Sequence, residues 1–372
     1  MAYFLHNNII TSLGFSTTEV VNNIRNKTTG ITNFEQFKKI TEAPVSTVDH
    51  KQLKSEAENL NISERTKFEQ LAICSISKAI KNSDINLSST KTLLIFSTTK
   101  GNIELLSNNK IGDDGLVASA CSNIARFFNY HSTPIVVCNA CISGVLAIIL
   151  AKRYIDSGIY DNVVVTGADV ATDFVVSGFE SFKSMSLDPC KPFDSDRTGL
   201  SLGEGAGTLI LGKKPGINDK KNLRIVGGGS GNDANHISGP SRTGEGLFLA
   251  AGAALKGMSD IDFISAHGTA TPYNDDMEAK AIKRLGLDNV PVNSFKGYFG
   301  HTLGAAGIIE IVLTIVSMQQ NTLFTSLGFN KPGTEVPLNI ITDHNKATIN
   351  KSLKLSSGFG GCNAAIVIEK DA

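Results

Sequence analysis

One of the six cysteines lies where an enzyme could use it as a nucleophile. Cys141 occupies a turn between a short β-branched run at 135–137 and an apolar segment at 142–151 that predicts a helix. A thiol at a helix start lies near free backbone N–H groups and the positive end of the helix dipole, and this setting is expected to lower its pKa. Most cysteines in such turns are small buried hydrophobic residues, so the turn alone does not establish catalysis.

Three other segments place polar groups directly after predicted strands. His267 follows an apolar strand, Lys296 and His301 lie in a Gly-rich turn before an apolar helix, and 358–363 is a Gly-flanked loop between two strands. Functional groups in α/β enzymes collect at such loops. A cysteine with a histidine suits acyl transfer through a thioester. Two histidines that each present an N–H can also hydrogen-bond one developing oxyanion, such as an enolate, whereas a hydrolase uses one oriented base.

The apolar pattern predicts an α/β fold in two halves of similar element order. Apolar strands predicted at 92–97 and 162–167 alternate with helical segments, and the same alternation follows the charged segment 213–221, which is the best internal boundary. Strands without polar alternation indicate a mixed, mainly parallel sheet covered by helices on both faces. Two facing halves would bring their strand-end loops to one central site.

Composition excludes several classes of protein. The chain has 372 residues with 35 Lys and Arg against 35 Asp and Glu, so no overall field attracts nucleic acid or an anionic membrane. The cysteines are too sparse for a disulfide scaffold. Cys138 and Cys141 have CxxC spacing, but no second ligand pair follows, which argues against zinc, and Cys138 is expected in the core. No secretory signal and no apolar run near 20 residues is found, which predicts a cytoplasmic protein.

A loop at 191–207 is dense in glycine and charge and precedes a strand. It lacks the GxxxxGK[ST] pattern of a phosphate-binding loop, and its glycines do not open a helix. We therefore expect a structural loop. Its charged residues are expected to form a partly buried ion network, namely Asp194, Arg197 and Glu204.

Together these motifs resemble the elongating β-ketoacyl-[acyl-carrier-protein] synthases of the thiolase-like superfamily. The matching segments follow the family order over nearly the whole chain, at 139–144, 191–207, 233–240, 267–272, 296–307 and 358–363. The resemblance implies an α/β thiolase-like fold, with two similar halves and mixed sheets in an α-β-α-β-α arrangement. Residues 1–215 would form the half with the cysteine, and residues 216–372 the half with the histidines and the lysine.

The resemblance also implies a reaction and roles for five residues. Cys141 would hold an acyl chain as a thioester, and malonyl-[acyl-carrier-protein] would lose CO2 and condense with it to give a 3-oxoacyl carrier in fatty-acid or polyene/polyketide-like biosynthesis. His267 and His301 would stabilise the enolate, with electrostatic support from Lys296. Backbone N–H groups of Cys141 and Phe359 would form the oxyanion hole, and Phe359 would also gate the acyl pocket.

Further family roles concern the substrate and partners. Thr269 and Thr271 would hydrogen-bond the phosphopantetheine arm, and Glu278 would join Lys296. Two basic residues, Arg65 and Lys67, lie where the family carries charge that docks the carrier, although solvated surface charge is the alternative. The arm arrives on the acyl carrier protein, so the enzyme would need no metal or redox cofactor of its own. The implied assembly is a homodimer or a heterodimer with a related subunit.

The chain departs from the family pattern around its pocket. It is shorter than usual members, with the shortage at 98–126, so the acyl length preferred by relatives is not carried over. Ile142 replaces a small residue, Ser357 an aromatic and Cys362 a threonine. These changes reshape the pocket without removing a catalytic group.

Three alternatives remain open at this level. A chain-length-factor-like partner subunit would usually lack the nucleophile, which is present here. An initiating synthase would usually carry Asn in place of His301, and a thiolase a second cysteine in a different Gly context. A cysteine hydrolase fits least well, because paired histidines suit enolate chemistry.

Overall fold

Strands and helices alternate along the chain. The computed structural model describes residues 1–32, 35–81, 83–108, 112–216 and 222–371. The strands are β1 (Ala2–Ile10), β2 (Thr92–Ser97), β3 (Ile135–Val137), β4 (Asn162–Asp169), β5 (Gly205–Gly212), β6 (Leu223–Asn232), β7 (Phe263–Ser265), β8 (Val292–Asn293), β9 (Thr322–Leu323), β10 (Asn345–Lys346), β11 (Lys351–Gly358) and β12 (Cys362–Lys370). The helices are α1 (Thr17–Arg25), α2 (His50–Asn59), α3 (Lys67–Ile80), α4 (Val117–Phe127), α5 (Ser143–Asp156), α6 (Asp173–Ser181), α7 (Glu245–Leu255), α8 (Pro272–Arg284), α9 (Lys296–Phe299) and α10 (Ala306–Gln320).

The main sheet consists of two topologically equivalent halves. Its strand order is β3-β2-β4-β5-β1 followed by β6-β12-β11-β7-β8. In each half the outer three strands are parallel and the two nearest the centre join antiparallel. The halves meet through a short β1–β6 pairing, Ala2 with Ile225 and Tyr3 with Arg224. The predicted repetition of element order is therefore a repetition of sheet topology. The boundary segment 213–221 lies partly outside the described residues, and the limits 1–215 and 216–372 stay a prediction.

Helices cover the sheet in layers that match the α-β-α-β-α arrangement. α5 and α10 lie between the halves, since α5 contacts β4 and β12 while α10 contacts β5 and β11. α3 packs on the other face of the first half, and α7 on the other face of the second. The segment 303–320 has the length and apolar composition of a membrane span, but 89% of it is buried inside the protein. It is the central core helix, which is why it is apolar on all sides.

The two central helices approach each other through glycine. A Cβ on Gly144 would lie 2.9 Å from the Ile308 backbone nitrogen, and one on Gly307 would lie 2.7 Å from the Val145 nitrogen. Any side chain at either position would force the helices apart. The contact brings the start of α5, which follows Cys141, against the start of α10.

Several local features differ from the sequence-based expectation. The segment expected as surface loops contains α2, whose buried residues are only Leu53 and Ala57. α6 was not expected either, although Thr172 caps it by accepting a hydrogen bond from the Val175 N–H. Cys138 is exposed, not buried in the core. It follows β3, which is the edge strand of the first half.

Candidate active site

The nucleophile turn is fixed by its own hydrogen bonds. Ala140 has a φ of +44°, in the left-handed region, so the chain turns sharply before Cys141. The Ser143 hydroxyl donates to the Ala140 carbonyl at 2.6 Å and accepts from the Asn139 N–H at 2.8 Å. Cys141 is only 7% exposed. The turn therefore presents the thiol to the interior of the molecule.

Burial determines the protonation state of this thiol. Desolvation and, to a smaller extent, the nearby Cys362 together raise the pKa of Cys141 to about 12, although Lys100 and Lys296 act in the opposite direction. The expectation of a lowered pKa is therefore wrong for the resting protein. The start of α5 offsets too little of the desolvation penalty, which scales with a degree of burial that the sequence does not reveal.

Two buried histidines face the thiol. His267 follows β7 and His301 follows α9, and their ring centroids lie 5.1 Å apart at an interplanar angle of 84°. One ligand atom of each histidine and the Cys141 Sγ all lie within 4.8 Å of one another. Burial, and then the charge of Lys296, lowers the pKa of both imidazoles well below the usual value. Both rings are therefore neutral and can each donate one N–H.

The His301 ring has no partner among the described residues. Both of its nitrogens are buried and unbonded, whereas its backbone is firmly held. The His301 N–H donates to the Ser201 carbonyl at 2.8 Å, and the Gly203 N–H donates to the His301 carbonyl at 3.0 Å. The structural role predicted for the 191–207 loop is thus confirmed, because this loop positions His301. The ring itself stays available to a substrate.

The ion network predicted within that loop is not formed. Asp194 accepts backbone N–H groups of the 330–331 segment at 2.6 and 2.9 Å. Arg197 pairs with Asp276 at 3.3 Å. Glu204 forms its ion pair outside this loop. The three charged side chains therefore bond to different parts of the folded chain. The prediction was wrong in its partners, although each group does stabilise a loop.

Arg65 and Lys67 are engaged inside the protein. Lys67 forms an ion pair with the fully buried Glu204, and Arg65 pairs with Glu69 at 3.0 Å. The Lys67 side chain is 18% exposed and the Arg65 side chain is 29% exposed. The role of Arg65 and Lys67 in docking a carrier stays a prediction. Their physical role is to neutralise two buried carboxylates.

Lys296 supports His267 as predicted, but its acidic partner differs. The Lys296 Nζ donates to the His267 carbonyl and lies 3.4 Å from His267 Nδ1. Its carboxylate partner is Glu310 of α10. Glu278 instead accepts the backbone N–H groups of His267 at 2.6 Å and Gly268 at 2.8 Å. The expectation that Glu278 joins Lys296 was wrong, and burial raises the pKa of Glu278 to about 7.

Sequence reasoning missed two buried charged residues near the site. Glu310 bonds Lys296 through one carboxylate oxygen and Lys354 through the other. Lys354 also donates to the Ala266 carbonyl at 2.9 Å. Glu310 is the one charged residue of the apolar helix α10, whereas β11 contains Lys351 and three serines besides Lys354. The lone charge in α10 was the available signal for Glu310, because buried charges are almost always paired.

The predicted site residues converge on one cleft of about 490 Å³. Its lining includes Cys141, His267, Thr269, Thr271, His301 and Phe359. The hydroxyls of Thr269 and Thr271 lie 2.9 Å apart. Lys296 and Glu278 lie behind this lining. The thiol and the two imidazoles could also ligate a soft metal ion, since their ligand atoms are close enough.

Phe359 lies next to the nucleophile and is packed between aromatic rings. Its ring stacks on Phe179 at 5.5 Å and meets Phe182 edge-on at 5.4 Å. A Cβ on the preceding residue, Gly358, would lie 3.0 Å from the Cys141 backbone nitrogen. Glycine therefore allows the 358–359 backbone to approach Cys141, which an oxyanion hole shared by the two backbones requires.

Family models match most of the chain. The model described as "Beta-ketoacyl synthase, N-terminal domain" matches residues 8–215, and "Beta-ketoacyl synthase, C-terminal domain" matches 223–330. A putative mitochondrial 3-oxoacyl-[acyl-carrier-protein] synthase of Schizosaccharomyces pombe is 29% identical over 82% of this chain and 81% of its own length. The 3-oxoacyl-[acyl-carrier-protein] synthase 2 of Vibrio cholerae is 31% identical over 68% of this chain and 66% of its own. That of Rhizobium meliloti is 33% identical over 63% and 60%, respectively.

Solved structures show the same fold. The ketosynthase ApeO in complex with its chain length factor ApeC, from Xenorhabdus doucetiae, matches with a TM-score of 0.87 and 23% identity, over 100% of this chain and 98% of that one. The ishigamide ketosynthase/chain length factor matches with a TM-score of 0.88 and 22% identity, over 100% and 99%. From its sequence, fold and site, the chain belongs to the β-ketoacyl synthase family, enzymes of thiolase-like fold that extend acyl thioesters by Claisen condensation.

Proposed function

We propose that this enzyme condenses an acyl group held on Cys141 with malonyl-[acyl-carrier-protein], releasing CO2 and a 3-oxoacyl carrier. The observation that carries the proposal is the convergence of a buried thiol with two buried neutral imidazoles in one cleft. Two neutral imidazoles can donate two hydrogen bonds to one oxygen, which suits an enolate. A hydrolase would orient one imidazole with a carboxylate or an amide.

The first half-reaction transfers the acyl group. The Cys141 sulfur attacks the thioester carbonyl while its proton passes to a neutral imidazole, since a thiol with a pKa of about 12 is otherwise almost fully protonated. Backbone N–H groups of Cys141 and Phe359 bind the oxyanion of the tetrahedral intermediate. The bond to the carrier sulfur then breaks, and the departing thiolate takes up the proton.

The second half-reaction forms the carbon–carbon bond. The malonyl thioester carbonyl accepts hydrogen bonds from His267 and His301, and the carboxylate leaves as CO2. The electron pair of the broken bond forms an enolate, whose charge the two N–H groups and the ammonium of Lys296 stabilise. The enolate carbon attacks the acyl-Cys141 carbonyl. The carbon–sulfur bond breaks, the 3-oxoacyl carrier forms, and Cys141 is reprotonated.

The cleft also supports an interaction with a carrier arm. Thr269 and Thr271 lie on its wall and can hydrogen-bond the amide groups of phosphopantetheine. The acyl carrier protein is therefore part of the proposal, and the relatives in Vibrio cholerae and Rhizobium meliloti are named for that substrate.

We further propose a cytoplasmic enzyme that needs no metal, and its activity is expected to persist in EDTA. Loss of activity that Zn²⁺ restores would contradict this.

The assembly is proposed as a homodimer, with a heterodimer as the second candidate. Two structures of the same fold contain a ketosynthase with a chain length factor. This chain carries the nucleophile, both histidines and the lysine, so we assign it the catalytic part in either case. Two measurements on the chain purified without a partner subunit distinguish the two assemblies. Light scattering gives its oligomeric state, and an activity assay shows whether it works without a partner.

The proposal is tested by separating the half-reactions. The enzyme is incubated with acyl carriers, and its intact mass should rise by one acyl group. Cys141→Ala should abolish this gain, whereas the exposed neighbour Cys138→Ala should retain it. Unchanged acylation of the Cys141→Ala variant would overturn the assignment.

A second comparison tests the two-histidine arrangement. His301→Ala should still acylate but should lose decarboxylation of malonyl carrier by about a hundredfold or more. The exposed His131→Ala is the matched control and should retain both activities. Condensation that survives in the His301→Ala variant would show that the second imidazole is dispensable.

A further inference from the structure

A second buried lysine lies behind the active site. Lys354 is in β11 and has no exposed surface. Its Nζ contacts the Glu310 carboxylate and donates to the Ala266 carbonyl at 2.9 Å. Ala266 is the residue before His267, so this lysine holds the strand end that carries a histidine of the site.

Four backbone polar groups around that strand end, two carbonyls and two N–H groups, are all bonded to charged side chains. The Ala266 carbonyl accepts a hydrogen bond from the Lys354 ammonium group, and the next carbonyl, that of His267, accepts one from Lys296. Two consecutive N–H groups, those of His267 and Gly268, both donate to the Glu278 carboxylate. The two ammonium groups in turn share one carboxylate. The backbone of His267 is thus held by charged groups on both sides.

We propose that Lys354 is a positioning residue of the condensation site, which fixes the His267 backbone and, with the other ammonium, keeps its imidazole neutral. The proposal rests on the function assigned above. The Glu310 carboxylate is shared by both ammonium groups, while the Glu278 carboxylate faces the His267 backbone N–H. Besides burial, the positive charge of both lysines opposes an imidazolium at His267 and favours an enolate in the cleft. Lys354 therefore contributes charge as well as a backbone hydrogen bond.

Several titratable groups face His267, and each bears on its protonation. They come from four elements and two turns, namely Lys296 (α9), Lys354 (β11), Glu310 (α10), Glu278 (α8), and His301 with Cys141 in the turns before α10 and α5. Burial disfavours the imidazolium most, and the charges of Lys296 and Lys354 add to this effect. Removing the charge of Lys354 therefore raises the pKa of His267 toward its usual value. The neutral form is then lost at a higher pH as the solution is acidified.

The experiment compares two variants that separate charge from hydrogen bonding. Lys354→Met removes both, whereas Lys354→Gln removes the charge and keeps an N–H donor for the Ala266 carbonyl. Ser352→Ala is the matched control, because Ser352 is buried two residues away on the same strand and contacts Met318, not the lysine pair. CO2 release from malonyl-pantetheine by the full chain is measured between about pH 5 and pH 8.

In both lysine variants, the pH at which the acid limb of the rate profile falls should increase by about one unit. At pH values below this limb, CO2 release should therefore be about tenfold slower than in the wild type. The control should match the wild type. A Lys354→Gln variant with a wild-type limb would overturn the proposal, because a purely structural role predicts that result. If the Lys354→Met variant does not fold, the Lys354→Gln variant is sufficient to test the proposal.

A second readout does not depend on turnover. NMR titration of ring-labelled histidine follows the seven His residues, and a His267→Asn variant identifies the signal. The His267 titration midpoint should rise in Lys354→Gln, and an unchanged midpoint would refute the proposal. A wild-type enzyme that releases no CO2 would refute the assigned function instead, while the titration still decides the role of Lys354.

Discussion

Replacement of Glu310 by Gln is expected to destabilise the protein more than most single substitutions. Glu310 is 1% exposed and gives one carboxylate oxygen to Lys296 and the other to Lys354. Glutamine has a similar shape but no charge. The variant would therefore retain two buried ammonium groups without the anion that links them.

The size of the loss follows from opposing electrostatic terms. At an effective dielectric constant of about 20, an ion pair at roughly 3 Å gains about 5–6 kcal/mol, which offsets several kcal/mol of lost hydration per ion. In the variant the attraction is lost and the desolvation remains. A lysine can instead release its proton, which at about pH 7 costs at most roughly 5 kcal/mol, because burial already lowers the pKa of Lys354 below its usual value. We expect a loss of about 3–5 kcal/mol in the free energy of unfolding.

Urea unfolding followed by circular dichroism measures this loss, since the chain has no tryptophan. If a lysine releases its proton, the folded variant binds fewer protons than its unfolded chain. Its stability then rises with pH, and the deficit narrows between about pH 7 and pH 9. Glu245→Gln, in an exposed pair with Arg284, is the control and should cost less than about 1 kcal/mol. A Glu310→Gln loss no larger than this control would refute the reasoning.

Three further predictions address the cleft and the basic residues. The double change Thr269→Val and Thr271→Val should raise KM for the malonyl carrier about thirtyfold at nearly constant kcat, because two hydrogen bonds of about 1 kcal/mol each are lost. Steady-state kinetics measure this, and an unchanged KM would contradict the arm contact. Gly358→Ala should slow acylation of Cys141 at least about tenfold in an intact-mass time course, since its Cβ would lie 3.0 Å from the Cys141 nitrogen; a wild-type rate would exclude this close approach. Lys67→Met should lower the urea midpoint and leave KM for the carrier unchanged, whereas a raised KM at full stability would restore the docking role.

The candidate catalytic residues could be predicted because the chemistry is local in the chain. Cys141 lies in a predicted turn, and His267, Lys296 and His301 each have a glycine beside them at a predicted strand end or turn. Residue type then limits what each can do. Repetition of the apolar pattern also predicted two α/β halves, since strand and helix periods are properties of short segments. The motif order then indicated which loops meet.

The partners of charged residues could not be predicted in this way. Glu278 was expected at Lys296 because it is placed like the family's acidic residue after the His267 motif, yet α10 brings Glu310 to Lys296 instead. Arg65 and Lys67 looked like surface charge in the sequence. The partner of Lys67 was not assigned, because Glu204 lies 137 positions away in the chain, whereas Arg65 pairs with Glu69 only four positions further on.

The sequence by itself determined the catalytic groups and the order of the elements that carry them, because these depend on residue type and local periodicity. Only the tertiary structure decided the protonation states at the site. Desolvation and the nearest charges set a pKa, and both arise from packing between distant segments. That is why Cys141, expected as a thiolate, is a buried thiol beside neutral imidazoles. It is also why Lys354, unremarked in its strand, lies directly behind His267.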